Sequence, residues 1–404
     1  MEAISLTSII KPLYYLCKVF GLASFCLCNN CGKKRYTFLH SGAWLSLSWA
    51  LIYAVNSCLV INFIVQDSDI PDNIAIASVL YYLSLHFTSI IYLCLCNIFR
   101  RRNLPLIIDK IEELCNIFTM KVDTNLVYKR MKWFVIFETT VLLLINGTVN
   151  AIYLYSEYDS SILETFWLIV EVIGSLCNSL IIIQFVSIVM LLKYILKCIN
   201  HELGYCYDVL KDSCRYSIIR IQPGGLKTFR SPGTKLISSL CNKVHGLRIT
   251  YSRLSAVISL VNSYYGFTIL MLVSWLFITI VTVLYDALLL FFDSEHTDNL
   301  IEYYYDVFDA LSLCIYSVIL MAVITTSCHL ISDETEDTIF HIQNLLLCRD
   351  IGKETEKELT IFCSQVKYSK LELTACDLFK LNLPFMKSFI SACFAYFVIV
   401  FQLK

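Results

Sequence analysis

Residues 166–192 read FWLIVEVIGSLCNSLIIIQFVSIVMLL, an apolar run in which Glu171 is the single charged residue. A bilayer core about 30 Å thick is crossed by roughly 20 apolar helical residues, so this run is long enough to span one. The run lacks the period-two alternation that is typical of a membrane β-barrel strand. The segment therefore predicts a transmembrane helix.

Six further runs of this kind occur, and the seven together predict an all-α membrane protein with seven transmembrane helices. Composition agrees: 57% of the 404 residues are hydrophobic and 16% are charged, whereas soluble proteins carry about 25% charged residues. A secreted enzyme, a disordered regulator and a nucleic-acid-binding protein are disfavoured, since a net charge of −1 gives no basic field for phosphates. The predicted spans are residues 44–64, 74–98, 133–153, 166–192, 254–292, 307–330 and 383–403.

Basic residues are confined to one side of this arrangement. Thirty of the 32 Lys and Arg residues precede the first span or lie in the loops after spans two, four and six, and the other three loops hold none. Because positively charged loops stay in the cytoplasm, we predict a cytoplasmic N-terminus and an extracellular C-terminus. Seven-span receptors that couple to heterotrimeric G proteins have the opposite orientation. The predicted outer loops contain none of the 19 cysteines, so no disulfide is expected there.

The chain is expected to divide into two regions. Residues 1–43 form a cytoplasmic N-terminal segment, and their apolar stretch 12–28 is interpreted as a helix in the inner membrane interface. Residues 44–404 form the seven-helix membrane domain. Extensions of spans four, five and six, with the segment before span seven, are predicted to form a cytoplasmic helical bundle. The cytoplasmic loops are residues 99–132, 193–253 and 331–382.

Motifs of enzymes are absent from the sequence, including a Gly-rich phosphate loop, His-Glu-x-x-His and Gly-x-Ser-x-Gly, so neither catalysis nor a cofactor is predicted. Cys26, Cys28 and Cys31 form a Cys-x-Cys-x-x-Cys cluster beside the inner membrane face. Palmitoylation or packing is favoured there over a metal site, because no second ligand cluster of suitable spacing follows. The glycosylation sequon at Asn146 lies inside span three and is expected to be unused.

The three predicted outer loops hold eleven acidic residues and no basic one. Two interpretations stay open: the acids remain because topology excludes Lys and Arg, or they form a negative vestibule that concentrates cations before a pore. The Asp, Glu, Lys and Arg residues within the spans are Glu138, Glu171, Asp286, Asp309 and Lys387. Glu171 is expected to face protein or water, because a charge in lipid is costly.

A stripe of small or polar residues follows one face of the last predicted span. Its members are spaced by 3, 4, 3 and 4 residues and therefore share a face, while the other faces are large and apolar. Close helix packing is one explanation, and a water-filled pore lined by several copies of the helix is the other. The stripe consists of Ser388, Ser391, Ala395, Val398 and Gln402.

The end of the chain resembles the insect gustatory receptor family. That family closes with Thr-Tyr, five apolar residues and Gln-Phe, and this chain has Ala-Tyr at 395–396, five apolar residues, and Gln-Leu at 402–403. Residues 374–379, TACDLF, resemble the family's Thr-Ala-Cys-Gly-Leu-Phe, and residues 11–16 and 21–23 are similar to its opening segment. The departures from the family pattern are Ala395 for Thr, Leu403 for Phe and Asp377 for Gly.

The resemblance implies a ligand-gated, non-selective cation channel in the plasma membrane of a sensory-neuron dendrite. It further implies a homotetramer, or a heterotetramer with other gustatory receptor subunits, in which the seventh helix lines the pore. The implied partners are a small organic tastant, the cations Na⁺, K⁺ and Ca²⁺, and membrane lipids, with no nucleic acid. By resemblance to the family's seventh helix, the pore and gate residues of this chain are expected to be Ser391, Ala395, Val398, Gln402 and Leu403.

Tastants of that family bind in the outer half of each subunit, among spans two to six. Core packing is the alternative role for each aromatic candidate. The sugar-receptor branch tends to carry Glu after the motif Tyr, and Phe397 at that position favours bitter or other non-sugar plant compounds. A metabotropic receptor and a secondary transporter remain alternatives, although the internal repeats typical of transporters are absent. The candidate ligand-binding residues are Tyr81, Tyr82, Asn150, Trp167, Glu171, Trp275 and Tyr316.

Overall fold

The computed structural model describes residues 6–23, 25–27, 36–38, 40–66, 72–118, 133, 135–137, 139–141, 143–148, 151, 162–218, 234–293, 300–348, 351–369 and 371–402. In chain order the elements are α1 (Leu6–Val19), β1 (Phe25–Leu27), β2 (Tyr36–Phe38), α2 (His40–Gln66), α3 (Asp72–Ile91), a π-helix that continues α3 (Tyr92–Phe99), α4 (Asn103–Phe118), α5 (Val135–Thr148), α6 (Ile162–Ile218), α7 (Thr234–Asp293), α8 (Leu300–Leu346), α9 (Lys353–Tyr368), β3 (Thr374–Ala375), β4 (Phe379–Lys380) and α10 (Leu383–Gln402).

Five helical segments of the described chain are long and apolar enough to cross a membrane. Two shorter apolar helices, α5 and the Leu383–Ile399 part of α10, lie where the third and seventh spans are predicted. The predicted all-helical architecture is confirmed, and these apolar helices are those of a multi-pass membrane protein. The number of crossings and the orientation of the termini stay predictions. The five segments are Gly42–Ile64, Ser78–Phe99, Thr165–Lys211, Ser239–Leu288 and Ala310–Leu346.

Helices α6, α7 and α8 are much longer than one membrane crossing, at 57, 60 and 47 residues. At about 1.5 Å per residue they extend for roughly 86, 90 and 70 Å, against a bilayer core of about 30 Å. Their extensions pack together, and α9 joins them with fully buried side chains such as Phe362, whose ring lies 5.6 Å from that of Tyr251 on α7. This arrangement matches the helical bundle that the sequence predicts from these segments.

Polar contacts join the helices inside this bundle. The side-chain amide of Asn200 on α6 donates to the backbone carbonyl of Glu334 on α8 at 2.8 Å. On the α7 side, Arg248 Nε donates to the Glu358 carboxylate of α9 at 3.0 Å, and His245 Nδ1 lies 3.3 Å from the same carboxylate. Slight desolvation by itself raises the pKa of Glu358, but the hydrogen bonds and charges of His245 and Arg248 prevail and bring it below its ordinary value.

The N-terminal helix differs from the prediction. The structure places α1 at Leu6–Val19 instead of 12–28 and follows it with β1, which pairs antiparallel with β2. The helix ends because Gly21 adopts φ +71°, a left-handed conformation that commonly terminates helices. A β-carbon on Gly21 would also lie 3.1 Å from the Cα of Ser46 on α2. Buried Tyr14 and Cys17 pack α1 into the protein core.

The cysteine cluster of the N-terminal segment lies largely outside the described residues. Cys26 is in β1, and Cys28 and Cys31 are not described. Within the described ranges, no group of three or more His, Cys, Asp and Glu side chains is arranged to hold a metal ion. The use of this cluster therefore stays open among palmitoylation, packing and a metal site.

A hairpin that the sequence did not predict connects the bundle to α10. Its strands β3 and β4 pair Thr374 with Lys380 and Ala375 with Phe379, and the turn places Cys376 and Asp377 at φ 53° and 58°. The Asn262 side chain of α7 holds the hairpin, because its amide donates to the carbonyl of Glu372 at 2.9 Å and its oxygen accepts from the Thr374 amide at 3.2 Å. The hairpin thereby fixes the start of α10 against α7.

One face of α10 packs against α7 and α8. Phe389 and Cys393 are buried, and the ring of Phe277 on α7 contacts Phe389 at 6.0 Å and Tyr396 at 5.4 Å. Below them, the rings of Phe379 and Phe385 stack at 4.3 Å and join the hairpin to the helix. Each such aromatic pair is worth about 0.5–1.5 kcal/mol beyond its buried area. The contacts define which side of α10 faces the rest of the chain.

Candidate functional site

A buried polar network joins α5, α6 and α8 within the apolar helices. Asn146 on α5 donates from Nδ2 to the hydroxyl of Tyr316 at 3.1 Å and to the hydroxyl of Ser175 at 3.0 Å. The hydroxyls of Tyr316 and Ser179 lie 2.5 Å apart. Tyr316 is 1% exposed, and a buried hydroxyl needs such partners because desolvation without a hydrogen bond is costly. We call Asn146, Ser175, Ser179 and Tyr316 the Tyr316 network.

A second set of polar contacts joins α2, α3 and α6. The amide nitrogen of Asn56 lies 3.3 Å from Nε2 of His86, and the His86 ring stacks on Tyr53 with centroids 5.4 Å apart. The Tyr53 hydroxyl donates to Sγ of Cys177 at 3.1 Å. Among the described residues, Nδ1 of His86 and Oδ1 of Asn56 have no hydrogen-bond partner. A water molecule or a polar ligand atom that reached them would satisfy both.

Further side-chain hydrogen bonds join α3 to α6. Ser89 donates to Oδ1 of Asn178 at 2.9 Å, and Nδ2 of Asn178 donates to the Leu85 carbonyl at 3.2 Å. One turn further on, at the start of the π-helix, Tyr92 donates to the side-chain oxygen of Gln184. The buried face of α6 therefore carries several hydrogen-bonded polar side chains among residues that are mostly apolar.

The predicted ligand-binding residues occupy different surroundings. Trp275, 2% exposed, and Glu171 are buried, and Trp167 is half-buried with its ring 4.8 Å from Phe63. The rings of Tyr81 and Tyr82 contact each other at 5.4 Å. Asn150 lies outside the described residues.

Two of these predicted residues offer hydrogen-bond donors to a ligand. Nε1 of Trp167 and Nε1 of Trp275 are buried and have no partner in the part of the chain that the structure describes. A buried indole N–H usually finds an acceptor, so a small molecule that carries an oxygen acceptor would satisfy either group.

The structure brings Tyr316 together with residues that sequence reasoning missed. Asn146 stood out only as a glycosylation sequon, and its burial agrees with the expectation that the sequon is unused. Ser175 and Ser179 are polar positions four residues apart within the run 166–192. That spacing could have identified a polar face on α6. It could not have identified α5 and α8 as the helices that pack against this face.

A cavity of about 720 Å³ lies elsewhere, between the π-helix, α7 and the hairpin. None of the predicted ligand-binding residues lines it. Polar groups of Arg100, Asn262 and Asp377 do line it, which places a second set of ligand-accessible side chains outside the Tyr316 network.

The predicted pore residues that the structure describes lie on the side of α10 that faces away from the rest of the chain. Ser391, Ala395, Val398 and Gln402 are exposed, and Leu403 lies outside the described residues. At about 100° per residue this stripe is roughly opposite the buried face at Phe389. The hydroxyl of Ser391 donates to the Lys387 carbonyl of its own helix at 2.9 Å. The stripe is thus available for contact with the surroundings of the chain.

Comparisons with known proteins agree with this fold. Residues 10–404 match the family described as 7tm chemosensory receptor. Two solved structures of the insect olfactory receptor OR5 from Machilis hrabei, one in complex with eugenol, are similar, each with a TM-score of 0.67, 13% sequence identity and coverage of 99% of both chains. This likeness, at so low an identity, is one of fold. A search of curated proteins found no match.

Proposed function

The chain belongs to the 7tm chemosensory receptor family, and from that premise we propose that it is a tastant-gated cation channel whose pore is lined by α10. The family is one of receptors and not of enzymes. The finer assignment, a gustatory receptor for bitter or other non-sugar plant compounds, is supported by the gustatory-type ending of the sequence and by Phe397 beside the motif Tyr396.

The single observation that supports a pore lined by α10 is the exposed stripe of small or polar residues on this helix. A helix that packs by its Phe389 face leaves its opposite face to lipid, to another copy or to water. The Ser391 hydroxyl is satisfied within its own helix, but the amide of Gln402 loses hydrogen bonds if it enters hydrocarbon. Several copies of α10 around one axis keep that face wet. One subunit cannot enclose such a pore, so the proposal requires an oligomer, for which we propose a homotetramer or a heterotetramer with related subunits.

The proposed ligand site comprises the Tyr316 network with the candidates Trp167 and Glu171, which lie eight and four residues before Ser175 and so share its face of α6. Hydroxyl, amide and indole groups are set among apolar helices there, and small-molecule sites in proteins typically combine an apolar wall with a few placed polar groups. A small organic molecule with an apolar body and one or two oxygens fits this chemistry. The olfactory receptor with a similar fold was solved with eugenol.

The proposed location is the plasma membrane of a sensory-neuron dendrite, where Na⁺, K⁺ and Ca²⁺ would pass. The acidic outer loops support this assignment, because a surface with eleven acids and no base concentrates cations before a pore.

Cysteine accessibility in the full chain tests the pore. Ala395→Cys and Val398→Cys are expressed with candidate co-subunits, opened with a panel of plant compounds and exposed to a charged methanethiosulfonate reagent. Modification is expected to change the current in these two variants. Tyr396→Cys and Phe397→Cys, at positions about 100° or more around α10 from both tested residues, are the matched controls and should not respond. The unsubstituted chain measures the background from native cysteines such as Cys376, which is exposed.

Equal modification of all four positions without a change in current would contradict a pore at this face. Ligand-evoked second messenger without conductance would favour a metabotropic receptor, and substrate accumulation would favour a transporter. Imaging of the purified protein adds a subunit count: four α10 helices around one axis with Gln402 inward is the expected arrangement.

A further inference from the structure

The cavity beside the hairpin lies at the predicted inner end of the membrane helices. The apolar segment Ser78–Phe99 ends immediately before Arg100, so we expect this side chain at the level of the lipid headgroups. Lys and Arg of the flanking loop place that level in the cytoplasmic leaflet. The volume of about 720 Å³ falls within the roughly 300–1,000 Å³ typical of small-molecule sites.

One wall of the cavity is the π-helix Tyr92–Phe99. Leu95 and Cys96 of this segment line the cavity, and so does Arg100, the residue that follows it. The backbone amide of Arg100 ends the π-helix with an i→i−5 hydrogen bond to the Leu95 carbonyl at 2.9 Å. π-Helical segments are rare and occur frequently at functional sites, because the wider turn re-aims side chains.

Opposite charges face this cavity from different elements. Arg100 donates one hydrogen bond, from Nη1 to the carbonyl of Ser263, and a guanidinium has five N–H donors. Across the cavity, the hairpin contributes Glu372 and Asp377. Lys380 neutralises Glu372 at 2.8 Å. The Asp377 carboxylate accepts from the Thr374 hydroxyl at 2.9 Å, which holds it in place and leaves further lone pairs.

The remaining wall is polar towards α7 and apolar at its edge. Ser255, Ser259 and Asn262 line the cavity from one face of α7, a helix that is otherwise strongly apolar over Ser239–Leu288. Phe267 is half-exposed at the same cavity, and Phe99 is exposed beside Arg100. An occupant with a charged head and apolar chains therefore matches the surroundings better than a small soluble ion does.

We propose that this cavity binds the headgroup of a cytoplasmic-leaflet phospholipid that bears both a phosphate and a primary ammonium, with Arg100 on the phosphate and Asp377 on the ammonium. Guanidinium groups bind phosphate through paired N–H donors. Asp377 and the serine hydroxyls accept hydrogen bonds that a primary ammonium donates and a quaternary one does not. A purely anionic headgroup is disfavoured, because Asp377 would repel it. This site goes beyond the proposed channel function and does not depend on it.

Lipid retention by the purified full chain tests the site. The protein is incorporated into nanodiscs of phosphatidylcholine that contain equal minor fractions of phosphatidylethanolamine and phosphatidylglycerol, then extracted, and the lipid retained per subunit is counted by mass spectrometry. We expect selective retention of phosphatidylethanolamine. Arg100→Gln and Asp377→Asn should each reduce it about tenfold, the size expected for loss of a charge-assisted hydrogen bond.

Matched controls keep the test specific. Arg102→Gln removes an exposed charge from the same arginine run but not from the cavity, and Glu354→Gln removes an exposed acid from α9; both should retain the lipid. Asp377→Gly removes the carboxylate while keeping the positive-φ turn, so loss of retention in this variant does not reflect a misfolded hairpin. Ser259→Phe fills the cavity and should also abolish retention.

Three outcomes would overturn the proposal. The first is equal retention by the unsubstituted chain and Arg100→Gln. The second is retention of phosphatidylglycerol as strong as that of phosphatidylethanolamine, which would indicate an anion site. In the third, free phosphoethanolamine displaces the lipid at low concentration, which would assign the cavity to a soluble ligand.

Discussion

Gly266 of α7 meets the backbone of Cys376 so closely that a β-carbon on Gly266 would lie 3.1 Å from the Cys376 amide nitrogen. Because the hairpin leads directly into α10, this contact and the two hydrogen bonds of Asn262 set the distance between α7 and the last helix. The hairpin is therefore where α7 and the proposed pore helix are joined.

Gly266→Ala should destabilise the protein by about 1–3 kcal/mol, because the added methyl group meets backbone that cannot move without displacing the hairpin. Gly246→Ala is the matched control on the same helix, since no heavy atom lies within 4 Å of its added β-carbon. That control should be neutral or more stable by about 0.5–1 kcal/mol, as Ala exceeds Gly in helix propensity. Thermal unfolding in detergent measures both, and equal stability of the two variants would contradict the close contact.

Tyr316→Phe should cost about 1–3 kcal/mol in stability, because the Asn146 amide and the Ser179 hydroxyl lose a buried partner. Ligand-evoked current should fall in the same variant if the Tyr316 network binds the tastant. Tyr368→Phe, at a side chain 92% exposed on α9, should change neither quantity. An unaltered melting temperature for Tyr316→Phe would show that its hydroxyl contributes no net stability.

Acid should weaken the contact between α7 and α9. The pKa of Glu358 is lower in the folded state than in the unfolded chain, so its stabilising contribution is present above the unfolded value of about 4.3 and is lost as pH falls through the folded pKa. The partners are partly exposed, which limits the contribution to about 0.2–1 kcal/mol. Glu358→Gln should thus be less stable than the unsubstituted chain at neutral pH and indistinguishable in acid. Glu354→Gln is the control, and a deficit that persists in acid would refute the pairing.

Asp377 stands at φ 58°, where a side chain is tolerated at a cost. Asp377→Gly should leave stability within about 1 kcal/mol, since relief of the backbone offsets loss of the hydrogen bond from Thr374. Asp377→Val should destabilise by about 1–3 kcal/mol, because a β-branched residue fits this conformation poorly. Thermal melting curves of the two variants measure this difference. A Val variant as stable as the Gly variant would exclude a left-handed backbone conformation at position 377.

The long helices were predictable from sequence because hydrophobic length alone specifies them, as residues 166–192 illustrate. The hairpin was not, since strands of two residues have no detectable periodicity and the contact of Asn262 with Glu372 joins residues far apart in the chain. The π-helix could not be predicted either, because its sequence YLCLCNIF resembles that of an ordinary apolar α-helix.

The candidate site was predictable in part. Tyr316 was identified as a polar aromatic within a span, and it lies at the centre of a hydrogen-bond network. Its partners Asn146 and Ser179 were missed because which helix faces meet is decided by packing among α5, α6 and α8, which one sequence does not report. The roles of the α10 stripe stay predictions, since they concern neighbours beyond one chain.

The uninterrupted length of α7 has a mechanical consequence. Its 60 residues contain no proline, so the helix behaves as a rigid rod that extends from the membrane-spanning region to the bundle. A tilt of about 5° around one end of a rod roughly 90 Å long displaces the far end by about 8 Å. Trp275 and Arg248 are about 40 Å apart along this rod, so a tilt of about 5° that begins beside Trp275 displaces Arg248 by about 3.5 Å and couples the membrane helices to the contact between α7 and α9.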